Sequence, residues 1–345
     1  VGVACGSSFT TVSTMGIAFI GIGATLKINP GLTAGVIVSG AFCGSNISPL
    51  SGTTNLAASV GEISIYKHIK SLLTTDIPAW AICLILYTFL GLNSKNVSLG
   101  AVHQMMAGLQ NGFWISGWAL LPVLLLIVLA IFQVPAIPSL GLGSLFAVVL
   151  GWIHAPKTSL TTITNTIMTG YVSHTGDKTI DTLLSKGGIS SMLTSLALII
   201  FALALGGLLI KFNIISAIIN HLTGIVKTPG RLAFSTALTC IGVNLLVGEH
   251  YLAIILPGQS FLPSFDKLGL KRVDLTRILN DAGAAVNAIV PWSVSGVFIA
   301  STLQINPLSF IPWVFFPFLV TILTIIAGML VKVPVKSPAA NLATE

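Results

Sequence analysis

Long apolar runs without a charged residue are the feature that most restricts how this chain folds. The longest are Trp80–Leu92, Trp118–Phe132, Leu193–Ile210 and Phe315–Val331, and none alternates apolar and polar residues as a half-buried strand does. In hydrocarbon the backbone must satisfy its own hydrogen bonds, and continuous apolar runs indicate that it does so in helices. Only 7% of the 345 residues are charged, against about 25% in soluble domains. We therefore predict an all-α, multi-pass membrane protein.

A spanning helix needs roughly 20 apolar residues, and about nine or ten membrane segments are predicted on that basis. Gly31–Cys43 and Tyr251–Leu262 look too short to span alone. The other candidates are Val1–Leu26, Leu72–Leu92, Trp118–Phe132, Ser139–Ile153, Ile189–Lys211, Arg231–Val247, Ala282–Leu303 and Pro312–Val331. We divide the chain into first-half segments (1–92), connecting helices with two apolar segments (93–187), second-half segments (188–336) and a tail (337–345).

The ends and loops of the chain suggest its placement in the membrane. Val1 lies inside an apolar stretch, so we expect the natural N-terminus, and some helices with it, to be missing. The net charge of +7 is spread over the loops and forms no nucleic-acid-binding stripe. Basic clusters such as Lys67 with Lys70 and Lys332 with Lys336 predict a cytoplasmic C-terminal tail in a cell-membrane protein. The four cysteines have no metal-ligand spacing and are expected to be free.

A polar, helix-breaking segment, GSNISPLSGTTN at Gly44–Asn55, lies between apolar stretches. Irregular backbone at membrane depth is tolerated only where protein buries it or where it lines a water-filled cavity. Its side chains supply oxygen ligands suited to a hard cation. The alternative is a surface loop of ordinary composition. The candidate binding residues here are Asn46, Ser48, Ser51, Thr53, Thr54 and Asn55.

Polar breaks of this kind occur twice along the chain. In the first half Gly2–Thr14 is followed by the polar segment Gly44–Asn55. In the second half Asn244–His250 is followed by Asn280–Ser295. Interrupted segments at corresponding positions in two halves are typical of transporters with internal, often inverted, repeats. The first break has a dense run of hydroxyls that supplies three more candidate ligands, although small-residue helix packing explains the same composition. Those candidates are Ser7, Ser8 and Thr10.

Acidic residues in apolar surroundings mark the second half. Glu249 lies within NLLVGEHYLAIILP, and an ionisable residue at membrane depth is a functional candidate by default. We propose Asn244, Glu249 and His250 as site residues, with a Glu–His pair at an interfacial helix end as the alternative reading. Asp281 is the further candidate, and its spacing from Arg277 predicts that the two face each other on a helix.

Asp76 precedes Pro78 at the start of an apolar run. A short polar residue in this position is expected to cap the first turn of the helix. The histidines at 103, 154, 174 and 221 have no ligand spacing, so no metal site is predicted.

At four places the chain resembles the NhaC-type sodium/proton antiporter family, which includes malate/lactate antiporters. The family stretches G-T-S-W-G-T, S-P-L-S-D-T-T-N, G-D-Q-Y-L-x-I-x-L-P-G and E-D-x-G…P-W appear here in altered form. They correspond to Gly6–Thr11, Ser48–Asn55, Gly248–Gly258 and Asn280–Gly283 followed by Pro291-Trp292. The resemblance covers nearly the whole chain in the expected order, and its members look longer at the N-terminus.

Several acidic positions of that family are changed. Ser45, Gly52 and Asn280 stand where the family tends to have acids, and Glu249 replaces an aspartate. The loss of three carboxylates weakens the expectation of simple sodium/proton exchange. An exchanger or symporter of an organic acid or amino acid, with substrate supplying part of the negative charge, is the alternative.

The sequence therefore predicts a secondary active transporter that resembles Na⁺/H⁺ antiporters and exchanges cations by alternating access. Glu249 is the first choice for ion coupling, and Asp281 is the second. No enzyme active site and no cofactor are predicted, with Na⁺ and H⁺ as transported or coupling ions. A channel or a non-transporting membrane scaffold is the alternative of another class. The expected partners are the lipid bilayer and the transported solutes, and the resemblance is compatible with a homodimer.

Overall fold

The computed structural model of the protein describes residues 1–26, 28–92, 116–132, 134, 136–174, 176, 181, 185, 188–214 and 228–330. Every regular element in these ranges is a helix, and no strand occurs among them, which confirms the all-α prediction. Residues 93–115 and the C-terminal tail lie outside the described residues.

The first half is built from five helices with two breaks. α2 is continuous from Ser8 to Thr25, with a π-helical turn at Val12–Gly16. The first break is Gly6-Ser7, and the second is Ile47–Ser51. The helices are α1 (Gly2–Cys5), α2 (Ser8–Thr25), α3 (Pro30–Asn46), α4 (Gly52–Val60) and α5 (Ile65–Leu92).

The irregular part of the predicted Gly44–Asn55 segment is therefore shorter than its composition suggested. Gly44–Asn46 complete α3, and Gly52–Asn55 begin α4. Pro49 has no N–H to donate, which removes one helical hydrogen bond at the break. Ser51 then accepts a hydrogen bond from the backbone N–H of Thr54 and starts the next helix.

The middle of the described chain contains four helices that are more exposed. Leu121–Ile131 follows a short 3₁₀ turn, and Leu160–Thr169 is a short amphipathic helix. They are α6 (Leu121–Ile131), α7 (Ala136–His154), α8 (Leu160–Thr169) and α9 (Ile189–Lys211).

The second half repeats the arrangement of the first. α12 begins as an α-helix, becomes π-helical at Leu279–Ala284 and ends as a 3₁₀-helix at Ala285–Ile289. Breaks fall at Gly248-Glu249 and at 290–293. The helices are α10 (Pro229–Val247), α11 (His250–Lys267), α12 (Arg272–Ile289), α13 (Val294–Leu303), α14 (Pro307–Phe310, extended by the 3₁₀ turn Ile311–Trp313) and α15 (Phe315–Leu330).

Equivalent positions of the two halves are separated by the same number of residues throughout. Gly6 and Gly248 both end a helix in the left-handed conformation, with φ of 64° and 74°. Glu62 and Gln304, after α4 and α13, both have positive φ (52° and 57°). Pro49 and Pro291 lie in the second breaks at the same spacing. The structure thus carries the internal repeat that the spacing of the polar breaks predicts.

Helices of one half pack on helices of the other in a reciprocal manner. α4 packs against α11, and the equivalent pair α13 and α2 also contact each other. Two hydrophobic clusters follow this arrangement, one around α10–α12 and the other around α3, α13 and α15. The breaks of both halves consequently meet near the middle of the molecule.

Within the described residues, Ile65–Gly91 and Pro229–Val247 are long and apolar enough to cross a membrane as single helices. Two bent pairs reach the same criterion together: Arg272–Ile289 with Val294–Leu303 (43°), and Pro307–Trp313 with Phe315–Leu330 (51°). Several predicted boundaries were too short, since the segments predicted at 31–43 and 251–262 extend to Pro30–Asn46 and His250–Lys267. Exposed side chains such as Phe89 and Leu330 give the outer surface the apolar character that contact with lipid requires.

Candidate ion site and central cavity

Two buried carboxylates, one from each half, are joined by a single amide. Nδ2 of Asn46 lies 3.1 and 3.0 Å from the two carboxylate oxygens of Asp76, and 3.1 Å from Oδ1 of Asp281. The exposed fractions are 4% for Asn46, 2% for Asp76 and 0% for Asp281. Asn46 thus donates to both acids at the end of α3, immediately before the helix breaks.

Neighbouring polar groups fix this arrangement. Asn280 donates from Nδ2 to Oδ1 of Asn46 at 2.7 Å, which orients the Asn46 amide with its N–H₂ group toward the carboxylates. The Thr75 hydroxyl donates to Oδ2 of Asp281 at 2.9 Å, and the Thr321 hydroxyl lies 3.1 Å from the Asp281 backbone carbonyl. Side chains held by several partners keep one geometry, as a selective binding site requires.

Local helix geometry explains why these residues meet. Asn280 and Asp281 lie in the π-helical turn of α12, a wider turn that is frequent at functional sites. Both of these consecutive side chains bond to Asn46. On the other side, Asp76 is in the interior of α5, where it faces α3 across the packed helices.

The carboxylate pair needs compensating charge. Among the described residues, neither Asp76 nor Asp281 forms an ion pair with Lys, Arg or His. Burial of an uncompensated carboxylate is costly, so such groups bind a proton or a cation. The available ligands are carboxylate, amide and hydroxyl oxygens, which suit a hard cation such as Na⁺. The described residues contain no cluster of three or more His, Cys, Asp or Glu side chains of the kind that holds a transition metal.

A cavity of about 660 Å³ lies beside the pair, at the place where the breaks of the two halves meet. Its wall contains equivalent residues of both halves, for example Ser7 with Glu249, and Thr53 with Ser295. Four helices begin here, namely α2, α4, α11 and α13, each with a side chain that accepts a hydrogen bond from its first turn. Because helix N-termini carry a partial positive charge, this wall favours anionic or oxygen-rich groups.

The cavity contains one acid–imidazole pair. Glu249 caps α11, with Oε2 accepting from the Leu252 backbone N–H at 3.0 Å. Its other oxygen lies 3.6 Å from Nδ1 of His250, and Phe9 contacts the His250 ring edge-on. One oxygen of the Glu249 carboxylate therefore bonds to the backbone of α11, whereas the Asp281 carboxylate bonds only to side chains.

The predicted site residues fall into three groups. Asn46 and Asp281 belong to the carboxylate cluster, and Asn46 also reaches the cavity. Ser7, Ser8, Ser51, Thr53, Glu249 and His250 line the cavity.

The remaining predicted residues support the breaks. The hydroxyls of Ser48 and Thr54 donate to the backbone carbonyls of Val3 and Asn46, and Asn55 donates to those of Pro49 and Ser51. Asn244 bonds to Gly283 and Asn287, which ties α10 to α12. Thr10 accepts at its backbone carbonyl from Ser13 and Thr14. The side chains of Ser48, Thr54, Asn55 and Asn244 thus hold the backbone in place. Neither they nor Thr10 line the cavity.

Two predictions from the sequence were wrong. Asp76 does not cap a helix, because α5 begins at Ile65, eleven residues earlier by the numbering, and continues through Pro78. Arg277 pairs with Asp274 (3.1 Å) instead of facing Asp281, whose carboxylate turns to Asn46 and Thr75. Asp76 and Thr75 are site residues that sequence reasoning missed. The available signal was an acid directly before the uncharged apolar run at 77–92.

Paired halves with broken helices, a central cavity and a buried carboxylate pair define a secondary active transporter of the membrane. The chain belongs to the Na⁺/H⁺ antiporter family, whose family model matches residues 46–331. This confirms the resemblance seen in the four motifs.

Three relatives show the range of the family. The Na⁺/H⁺ antiporter NhaC of Bacillus subtilis (strain 168) is 38% identical over 95% of this chain and 73% of its own length. The malate-2H⁺/Na⁺-lactate antiporter of the same organism is 36% identical over 94% of this chain and 70% of its own length. The arginine/ornithine antiporter ArcD of Halobacterium salinarum is 34% identical over 98% and 71%. No solved structure matches the chain.

Proposed function

We propose that this protein is a cation/proton antiporter of the cell membrane in which Asp76 and Asp281 form the ion site. The observation that carries the proposal is the single amide of Asn46, which joins two buried carboxylates that form no ion pair with Lys, Arg or His among the described residues. A proton or a monovalent cation each compensates one negative charge of such a pair, so the two compete for the same place. Competition at one site, with the site opened to one side at a time, couples cation movement to proton movement.

The changed acidic positions do not remove this capacity. Asn280 now donates a hydrogen bond to Asn46 where a carboxylate would accept one, and so it orients the bridging amide. Asp76 supplies the second carboxylate of the pair from α5. The site therefore keeps two carboxyl groups although Ser45, Gly52 and Asn280 carry none.

Sodium-driven proton movement in vesicles or proteoliposomes tests the proposal. We expect D281N and D76N each to abolish Na⁺-dependent proton movement. Each variant leaves a single carboxylate, and the proposed site needs both to bind the cation and the proton in turn. The control is D266N, which removes an exposed carboxylate that pairs with Arg272 at the surface. D281N and D76N proteins that exchange like the parent would refute the assignment of the site.

A second candidate function is exchange coupled to a small organic acid or amino acid. The volume of the central cavity, about 660 Å³, favours it, because a bare cation needs far less space. Helix N-termini in the wall would meet the carboxylate of such a solute. Uptake of labelled lactate, malate and basic amino acids with and without a Na⁺ gradient separates the two functions. A Na⁺/H⁺ exchanger moves protons with no organic solute present.

We propose that the protein acts without enzymatic chemistry and without a cofactor, with Na⁺ and H⁺ as its transported ions. Membership of an antiporter family supports this proposal and gives no support to the channel or scaffold alternatives. The homodimer and the cytoplasmic orientation of the tail stay predictions from the sequence.

A further inference from the structure

Arg277 lies one helical turn before Asp281 and is almost fully buried, with 7% of its side chain exposed. Its Nη2 pairs with Oδ1 of Asp274 at 3.1 Å, and its Nη1 donates to the Ser71 hydroxyl at 3.1 Å. Its third nitrogen, Nε, is buried and has no hydrogen-bond partner in the described residues. A buried charged donor left without a partner carries a substantial desolvation penalty, so this guanidinium is incompletely satisfied where it lies.

The position of Arg277 lets it reach a second acid. Asp274 precedes it by three residues and Asp281 follows it by four, and side chains at both spacings share one face of a helix. Helical side chains lean toward the N-terminus. That lean takes Arg277 toward Asp274, as observed, whereas the Asp281 carboxylate is held by Asn46 and Thr75. Transfer of the guanidinium from Asp274 to Asp281 therefore requires new rotamers of both Arg277 and Asp281.

The charges of the site differ between its loaded and empty states. When a cation occupies the pair, Asp281 is compensated and Arg277 is compensated by Asp274. When the cation leaves without a proton replacing it, Asp281 becomes a buried charge without a counter-ion, which is unfavourable. Asp274 tolerates the loss of Arg277 better, because its side chain is 13% exposed while Asp281 is fully buried.

We propose that Arg277 is the internal counter-ion of the transport cycle, paired with Asp274 when the ion site is loaded and with Asp281 when it is empty. Arg277 then competes with the transported cation for Asp281 and assists its release. This role rests on the proposed ion site at Asp76 and Asp281. It assigns Arg277 as a positioning residue that sets cation affinity without contacting the ion.

The test measures the apparent KM for Na⁺ of proton movement in proteoliposomes containing the whole chain. S71A removes one of the two groups that hold Arg277 away from Asp281 and changes no charge. D274N removes the other. We expect S71A to raise the KM several-fold and D274N to raise it about tenfold, since the released group is a charged hydrogen-bond donor. R277Q is expected to lower the KM and to slow turnover.

The double variant R277Q/D274N separates this role from simple through-space repulsion. If Arg277 is the competitor, the D274N effect disappears in the R277Q background; if fixed charges act independently, the two effects add. Additive effects, or an S71A protein with the parental KM, would overturn the proposal. Gel filtration in detergent shows whether R277Q folds. If it does not, the KM of S71A still tests whether Arg277 competes with the cation. Loss of all exchange in D281N would support the ion site whatever the S71A result. The ion site and the role of Arg277 can therefore fail independently.

Discussion

Asn46 is the residue whose removal tests the site most directly. N46L keeps the approximate volume of the side chain but takes away the donor to Asp76 and Asp281 and the acceptor for Asn280. A hydrogen bond to a charged group contributes about 1.5–3 kcal/mol. The donor favours the charged form of the carboxylates, so its loss makes protonation easier, and protons will compete with the cation up to a higher pH.

The size of the effect follows from the same energies. About 1.4 kcal/mol corresponds to one pH unit, so loss of one such bond is expected to move the onset of exchange upward by about one to two pH units. The assay is Na⁺-driven proton movement in proteoliposomes, measured as a function of pH for the parent and the variant. The matched control is T54V, which removes a bond to the Asn46 backbone carbonyl but leaves the amide in contact with both acids. An N46L profile that is unchanged, or moved to lower pH, would refute the reasoning.

Two further predictions concern the framework of the site. G6A is expected to reduce both thermal stability and transport, because Gly6 has φ of 64° and an added Cβ would lie 2.5 Å from the backbone carbon of Leu50; G40A, where nothing lies within 4 Å, is the control. A left-handed non-glycine residue alone costs about 1–2 kcal/mol. Y87F is expected to lower the free energy of unfolding by about 1–3 kcal/mol, because its hydroxyl lies 2.7 Å from the Trp313 carbonyl and 2.7 Å from the Ser39 hydroxyl. Thermal unfolding in detergent checks both, and equal melting temperatures of parent and variant would contradict them.

The helical class and the positions of the breaks could be predicted from the sequence because both depend on local chemistry. A chain with so few charged residues lies in lipid, where the backbone must satisfy its own hydrogen bonds and forms helices. Pro49 and Pro291 lie between consecutive helices among other helix-breaking residues, and the neighbouring Ser51 and Ser293 begin the next helices. The second breaks could thus be located, although their edges could not, since helix ends depend on packing as well as on the caps.

Asp76 shows where local reasoning failed. Its position before Pro78 is typical of a helix start, yet α5 continues through both residues. Proline is tolerated inside membrane helices where neighbouring groups satisfy the backbone. Packing of α5 against α12 and α15 therefore overrode the local signal, and an apparent cap became half of the ion site.

The sequence by itself determined that this protein is a helical membrane transporter with repeated breaks, because composition, proline and small polar residues act through short-range physics. Only the tertiary structure decided which acids meet. Asn46, Asp76 and Asp281 are far apart in the chain, and their contact depends on how α3, α5 and α12 cross. No local pattern records that crossing, since it is set by the packing of whole helices from two halves.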